Sequence, residues 1–350
     1  MAPNQMLAEA HWSLWRRGNK ENVARQTANS VGEPEGAATF PSNHGCLLCD
    51  SLLEVVLTDV TDNRLGTPGS YEIRRCIRCG FEQTFPVPAL ADLTELYETH
   101  YNFGGERNTL YTRLRERFLF SFAYRIWVRL DGDVAFHQRR GIGRLLDLGC
   151  NEGRGLRIHA ANGFRVEGLE LNETAAGVAR EAGFEVQTCL LESFNPTMPY
   201  NVVVLSNVLE HSLEPRQMLL DVRRILATRG QVWISCPNSQ SWLRRAFGRS
   251  WVNWHVPFHI SHFSSATLRQ LLEETGYARI EMRQITPALW VAQSLIAYFF
   301  AKRGRKTWQL RNPYLTLLFM TIARFVAFPA LWLGNFRGQG DCLQVVATKQ

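Results

Sequence analysis

The chain has 350 residues, 45% hydrophobic and 20% charged, which is the balance of a globular protein with one large core and smaller attachments. Its 39 Lys and Arg against 32 Asp and Glu leave a net charge of +7, which suits an anionic partner, either nucleic acid or a lipid surface. Eight cysteines are too few for a secreted disulfide scaffold, and the N-terminus has no apolar run of signal-peptide length, so the expected location is cytoplasmic.

Residues 1–42 are rich in small, polar and charged side chains and read as a flexible tail, with Trp12 and Trp15 marking a short docking helix as the alternative. Residues 43–86 read as a zinc ribbon. Cys46 and Cys49, then Cys76 and Cys79, form two Cys-x-x-Cys knuckles, and two knuckles complete the tetrahedral thiolate site that zinc prefers. The 26 residues between them can hold a hairpin, and such a site would be structural, replacing a core the segment is too small to build. A redox dithiol pair would want a thioredoxin-like context, which is missing. A ribbon for nucleic acid would want aromatic stacking positions beside its arginines, and no clear face carries them.

Residues 87–140 read as a helical linker or cap. A short amphipathic helix is predicted over 89–101 and a longer one over 108–130, where Leu110, Leu114, Phe118, Phe122 and Ile126 form an apolar stripe. From 141 to 286 strand-like and helix-like runs alternate. Strands are predicted at 144–148, 165–171, 184–190, 201–208, 231–238 and 278–285, helices at 155–163, 173–183, 214–230 and 264–276, and 342–349 supplies a last strand. This alternation predicts an α/β fold, a Rossmann-like doubly wound, parallel-rich sheet.

The stretch LLDLGCNEGRG, residues 145–155, ends the first of those strands and opens a helix, where such sheets bind ligands. Gly149 and Gly153 permit close backbone approach, and Asn151 is the side-chain-bearing residue that best tolerates left-handed geometry. Asp147 excludes a pyrophosphate loop, because a carboxylate would stand where phosphate oxygens must sit; it suits a cationic ligand bearing an ammonium group. The glycines at 149, 153 and 155 match neither the dinucleotide fingerprint nor a P-loop. Glu170 ends the second strand, where a carboxylate can accept hydrogen bonds from two ribose hydroxyls.

With NVVVLSNVLEHSLEP at 201–215, ISCPN at 234–238 and HISHFSSATLRQLLEETGY at 259–277, these residues resemble the class I S-adenosylmethionine-dependent methyltransferases. The resemblance covers about residues 140–285 and the last strand, and points to the small-molecule branch of ubiquinone and polysaccharide-cluster enzymes. It implies the methyltransferase strand order with an antiparallel last strand. It also implies that Asp147, Gly149, Cys150, Asn151 and Gly153 surround the methionine part of the cofactor and that Glu170 binds its ribose. Leu190 or Leu191 with Glu192 would lie along adenine, and Asn207 would close the other side. The chain departs from the family's pattern at Asn151, where a glycine is usual, and at Tyr200-Asn201, where Phe-Asp is usual.

Methyl transfer from a sulfonium needs an aligned acceptor and, for a hydroxyl, a proton acceptor. By the same resemblance His211 and His259 stand closest to the acceptor, as general-base candidates; loop-holding hydrogen bonds and chelation by His255, His259 and His262 are the alternatives. Residues 287–340 form an apolar insertion. The run 287–301 is short for a bilayer, and 313–334 contains Arg324 and Pro329. Two readings stay open: an in-plane amphipathic hairpin with KRGRK on anionic headgroups, peripheral at the inner face of a membrane, or a helical lid on the core. The expected acceptor is a small-molecule or lipid-linked sugar hydroxyl. A quinone precursor is the alternative, and an RNA substrate is disfavoured because no Asn/Asp-Pro-Pro-Tyr-type signature is present.

Overall fold

A computed structural model of the chain describes residues 45–100 and 117–350. The predicted tail with Trp12 and Trp15, and Leu110 and Leu114 of the predicted stripe, lie outside the described residues.

The knuckle turns of Cys46–Cys49 and Cys76–Cys79 flank a hairpin of β1 (Leu53–Val60) and β2 (Tyr71–Cys76), which continues into β3 (Glu82–Phe85). α1 (Leu90–Thr99) follows, then α2 (Phe122–Asp131), which Ser121 caps by accepting the Tyr124 N–H. The core then runs β4 (Arg144–Leu148), α3 (Arg154–Ala161), β5 (Arg165–Leu169), α4 (Glu173–Glu181), β6 (Glu185–Gln187), β7 (Tyr200–Ser206), α5 (Pro215–Ile225) and β8 (Leu226–Pro237). α6 (Trp242–Phe247) and the short β9 (Ser261–His262) precede α7 (Ser265–Glu274) and β10 (Tyr277–Ile285). The insertion folds as α8 (Ala288–Phe300), α9 (Pro313–Thr321) and α10 (Phe328–Phe336), and β11 (Cys342–Lys349) closes the chain.

Seven strands make one sheet in the order β10-β11-β8-β7-β4-β5-β6. β11 is antiparallel to both of its neighbours, whereas β6, β5, β4, β7 and β8 are parallel. Counted along the core this is 3-2-1-4-5-7-6, the methyltransferase order expected from the resemblance. Leu145, Leu146, Val203, Leu205, Val232 and Ile234 are buried on both faces of the central strands, as a sheet covered by helices on each side requires. Each such side chain contributes roughly 1.5–3 kcal/mol by leaving water. The order reverses between β4 and β7, so a crevice opens beyond their carboxyl ends.

Several elements differ from the expected ones. The helix predicted over 214–230 stops at Ile225, and β8 begins at Leu226, because Leu226 already has extended geometry and Arg229 lies at φ 59. The strand predicted over 184–190 keeps only Glu185–Gln187 before a 3-10 turn at Leu191–Ser193. Phe118, Phe122 and Ile126 of the predicted stripe are exposed; α2 instead buries Val128 and Asp131. The ribbon is not self-contained either. β3 pairs with β9, so the ribbon sheet has the order β1-β2-β3-β9, and all described residues belong to one unit, 43–350.

The candidate active site

Three turns at the carboxyl ends of β4, β5 and β7 build the crevice. After Leu148 the backbone turns left-handed at Gly149 (φ +66), Asn151 (φ 50) and Gly153 (φ +79), which coils the loop into α3. The Gly149 N–H donates to the Leu169 carbonyl at 2.8 Å, tying this loop to the end of β5. Glu170, the next residue after β5, accepts the Asn151 N–H at 2.9 Å on one oxygen and the Asn172 N–H at 2.8 Å on the other. Its carboxylate is thereby fixed beside the β4 loop.

Asp147 is buried, and its carboxylate lies over Gly155, where an added Cβ would stand 2.8 Å from Oδ2. Burial, reinforced by the negative charge of Glu170, pushes Asp147 up to about 7. The mutual repulsion of these two acids is one that a positively charged ligand would relieve. On the β7 side, Asn207 adopts φ 55 and holds Oδ1 buried with no hydrogen-bond partner among the described residues. A buried carbonyl oxygen at the end of β7, with the acids at the ends of β4 and β5, suits a ligand with hydrogen-bond donors and positive charge. The residues present therefore fit adenosylmethionine.

Two loop residues have other work. Cys150 turns into the core with Leu156, Ala176, Ala179 and Val186, and a Cβ on Gly168 would meet its Sγ at 2.5 Å. It offers the crevice its backbone only. At Gly153 a Cβ would lie 2.8 Å from the Ala179 Cβ, so its missing side chain serves the packing of α3 on α4. Leu190, Leu191 and Glu192 form the turn after β6 at the same end of the sheet, and Arg224 holds it by donating to the Leu191 and Glu192 carbonyls at 3.1 and 3.4 Å.

Opposite the loop, a turn at Leu209–His211 and the segment 252–262 bring three imidazoles together. The His211 and His259 rings are 4.7 Å apart edge to face, and His255 lies 4.9 Å from His259. His259 Nδ1 is 2.8 Å from the Asn253 carbonyl, so Nδ1 carries the proton and Nε2 the lone pair. His211 Nδ1 meets the Tyr97 hydroxyl at 2.8 Å. Burial and the nearby charge of Arg64 lower His211 to about 4 and hold His255 and His259 well below the usual imidazole range. At neutral pH all three are uncharged. Glu210 is buried, both its carboxylate oxygens lack a hydrogen-bond partner among the described residues, and burial pushes it up to about 8.

The predicted set His255, His259 and His262 does not converge on one point. His262 Nε2 turns to the Thr84 hydroxyl at 2.9 Å, while Glu210, His211 and His259 each bring a donor atom within 4.8 Å of the others. Tyr97, Arg64 and Glu210 were not assigned from sequence. Only the LEH stretch signalled Glu210, and nothing local marks Tyr97 or Arg64, which arrive from the cap and the ribbon hairpin.

The four ribbon thiols also converge. Cys46 Sγ lies 3.6 Å from Cys79 Sγ and Cys49 Sγ 3.5 Å from Cys76 Sγ, with all four within 4.8 Å. These separations are too long for disulfides and close to the ~3.8 Å edge of a tetrahedron with ~2.3 Å metal–sulfur bonds. Backbone N–H groups of Leu48, Arg78 and Cys79 donate to Cys46 and Cys76 Sγ at 3.4 Å, the geometry of a thiolate knuckle. Through β3 the ribbon reaches the imidazoles: the Thr84 hydroxyl donates to the His259 carbonyl at 2.7 Å, and the Thr84 N–H to the Ile260 carbonyl at 2.9 Å. The Ile260 N–H in turn donates to the Glu210 carbonyl at 2.9 Å.

Comparison with known proteins identifies the family of the domain. Residues 103–281, just over half of the chain, match a family described as a methyltransferase domain. A probable S-adenosylmethionine-dependent methyltransferase of Mycolicibacterium smegmatis is 32% identical over 136 residues, covering 38% of this chain and 51% of that one. A ubiquinone biosynthesis O-methyltransferase of Cronobacter sakazakii is 30% identical over 124 residues, covering 33% and 51%. The matched stretch thus spans about half the length of these curated relatives. Among solved structures, a Burkholderia thailandensis 1,6-didemethyltoxoflavin-N1-methyltransferase has a TM-score of 0.44 at 14% identity, covering 78% of this chain and 97% of that one.

Proposed function

This chain belongs to the methyltransferase-domain family, and on that premise we propose that it transfers the methyl group of S-adenosylmethionine to a hydroxyl of a small-molecule or lipid-linked acceptor, with a glycan as first choice. When bound, the cofactor supplies an electrophilic methyl group on a good leaving group. Asp147 and Glu170 would hold its charged and ribose ends, Asn207 would accept a hydrogen bond from it, and the turn at 190–192 would line the base. The observation that carries a hydroxyl acceptor is the uncharged imidazole cluster facing the crevice. His211 takes the hydroxyl proton, its ring held by the Tyr97 hydroxyl at Nδ1 and by a backbone hydrogen bond to Phe258. His259 stands beside it as the second candidate base.

Transfer of labelled methyl from the cofactor to cell extracts tests this reading. An ether product keeps its label through mild alkali, whereas label released as methanol would mean a carboxylate acceptor and contradict it. A quinone-precursor phenol is the second reading, favoured by the relatives named ubiquinone biosynthesis O-methyltransferases. Label in a phenolic rather than a glycan fraction would decide for it.

We assign zinc to Cys46, Cys49, Cys76 and Cys79 as a structural ion. Its expected contribution follows from the Thr84 link: metal loss should loosen the loop carrying His259 as well as the ribbon. Elemental analysis should find one zinc per chain, and Cys76→Ser should lose it together with turnover. A fully active Cys76→Ser protein would remove zinc from the account.

A further inference from the structure

The insertion has two unlike sides. Its inner side is anchored: α8 buries Trp290, Val291, Ala292, Ile296 and Ala297. The Thr307 N–H and hydroxyl donate to the Arg64 and Asn63 carbonyls of the ribbon hairpin at 3.0 and 2.9 Å. Arg324 forms a buried ion pair with Asp131, whose carboxylate also accepts the Ala288 N–H at 2.9 Å. Since Asp131 ends α2, that helix and the insertion are one unit. The lid reading is therefore right for the inner side.

The outer side is apolar and open. α9 buries no residue, Phe325 and Val326 are 73% and 74% exposed, and Tyr314, Leu317, Trp332 and Phe336 stand out beside them. Phe122, Ile126 and Leu130, four residues apart on α2, add a second exposed stripe. Clusters of this kind on a protein surface mark an interaction site. The limbs 313–326 and 328–336 bend by 69°, and no single described helix is long and apolar enough to cross a membrane. Taken together the two limbs are long and apolar enough for a broken span or a re-entrant loop, but the ties of Arg324 to Asp131 and of Thr307 to the ribbon hairpin hold the insertion against the protein and favour an in-plane surface.

Charge selects the occupant. Residues 287–340 contain seven Lys or Arg and no Asp or Glu; Arg324 is buried against Asp131 and Arg303 pairs with Asp59 at 3.0 Å, which leaves Lys302, Arg305, Lys306, Arg311 and Arg337 beyond those two ion pairs. Lys302, Arg303, Arg305 and Lys306 cluster in the α8–α9 connection, and Trp308 lies under the Lys306 ammonium, 4.8 Å from its ring centroid. Indole beside cations is the pairing found at the headgroup level of a bilayer. A second copy of this chain would bring the same positive charge to the contact. We infer that the outer face of the insertion, with the α2 stripe, docks in plane on an anionic lipid surface. This deepens the proposal of a lipid-linked acceptor and rests on it for its purpose, not for its geometry.

Flotation of the full chain tests the docking directly, using phosphatidylcholine vesicles with and without phosphatidylglycerol. The chain should float with the anionic vesicles at low salt and stay behind with the neutral ones. Lys302→Gln and Arg305→Gln should each weaken partition roughly fivefold. Phe325→Ser with Val326→Ser, both at exposed positions, should weaken it about tenfold or more. Failure of the unmodified chain to float with anionic vesicles overturns the inference. So does a lipid-free dimer that these serine substitutions dissolve, which would make a second copy the occupant. Calorimetry with adenosylmethionine on the same preparations separates the two proposals: no flotation with cofactor binding intact sinks the docking alone. Flotation without label entering any lipid extract sinks the lipid-linked acceptor alone.

Discussion

His211→Ala is expected to lower kcat by about 10²- to 10⁴-fold, the usual worth of a positioned general base, with cofactor affinity unchanged. The ring lies beyond the carboxyl end of β7, outside the β4 and β5 loops proposed to hold the cofactor, so removing it should leave those contacts intact. Its low protonation threshold sets the pH behaviour. Because burial and Arg64 lower His211 to about 4, the neutral base is present throughout the range above that value. Turnover with saturating cofactor should therefore not fall as pH drops through about 6.5, where an ordinary histidine would protonate. Steady-state kinetics paired with calorimetry checks both points. A loss of less than about fivefold would move the proton-accepting role to His259 or elsewhere.

Asp147→Ala is expected to weaken adenosylmethionine binding by about 10- to 100-fold, the worth of a hydrogen bond to a charged group, with the fold retained. The sign of its pH dependence follows from burial. In the unliganded chain Asp147 titrates near 7, and a cationic ligand binds the ionised form. Affinity should be full above about pH 7 and decline as pH falls through it, and Asp147→Asn should lack that decline. For stability the same shift acts in the opposite sense. A carboxyl raised above its unfolded value of about 3.9 contributes stability that is present below that value and lost as pH rises through about 7. The unliganded protein should thus gain more from added cofactor at pH 8 than at pH 6 in a melting experiment.

The loop geometry of the proposed cofactor half was legible because it is local. Asp147, Gly149 and Asn151 are consecutive with a strand end, and a strand buried on both faces followed by left-handed turns leaves a visible pattern. Glu170 could be placed by counting to the next strand. The acceptor half was only partly legible, since it is assembled from distant segments. His211 and His259 could be nominated, but the Tyr97 hydroxyl comes from 114 residues away along the chain and Thr84 from 175, and neither distance leaves a periodic trace. The pairing of β3 with β9, which ties ribbon to site, involves a two-residue strand that no periodicity can reveal. The exposed stripe of α2 misleads for a different reason. Apolar spacing identifies a face but not whether protein or something else covers it, and here the covered face carries Asp131, paired with Arg324 from 193 residues on.

A crystal grown with S-adenosylmethionine tests the central claim most directly. The account predicts density beyond β4 and β5 with the amino-acid end at Asp147, the ribose hydroxyls on Glu170 and a donor on Asn207 Oδ1. An empty crevice at saturating cofactor, or a phosphate-bearing molecule lying over the same loop, would contradict it.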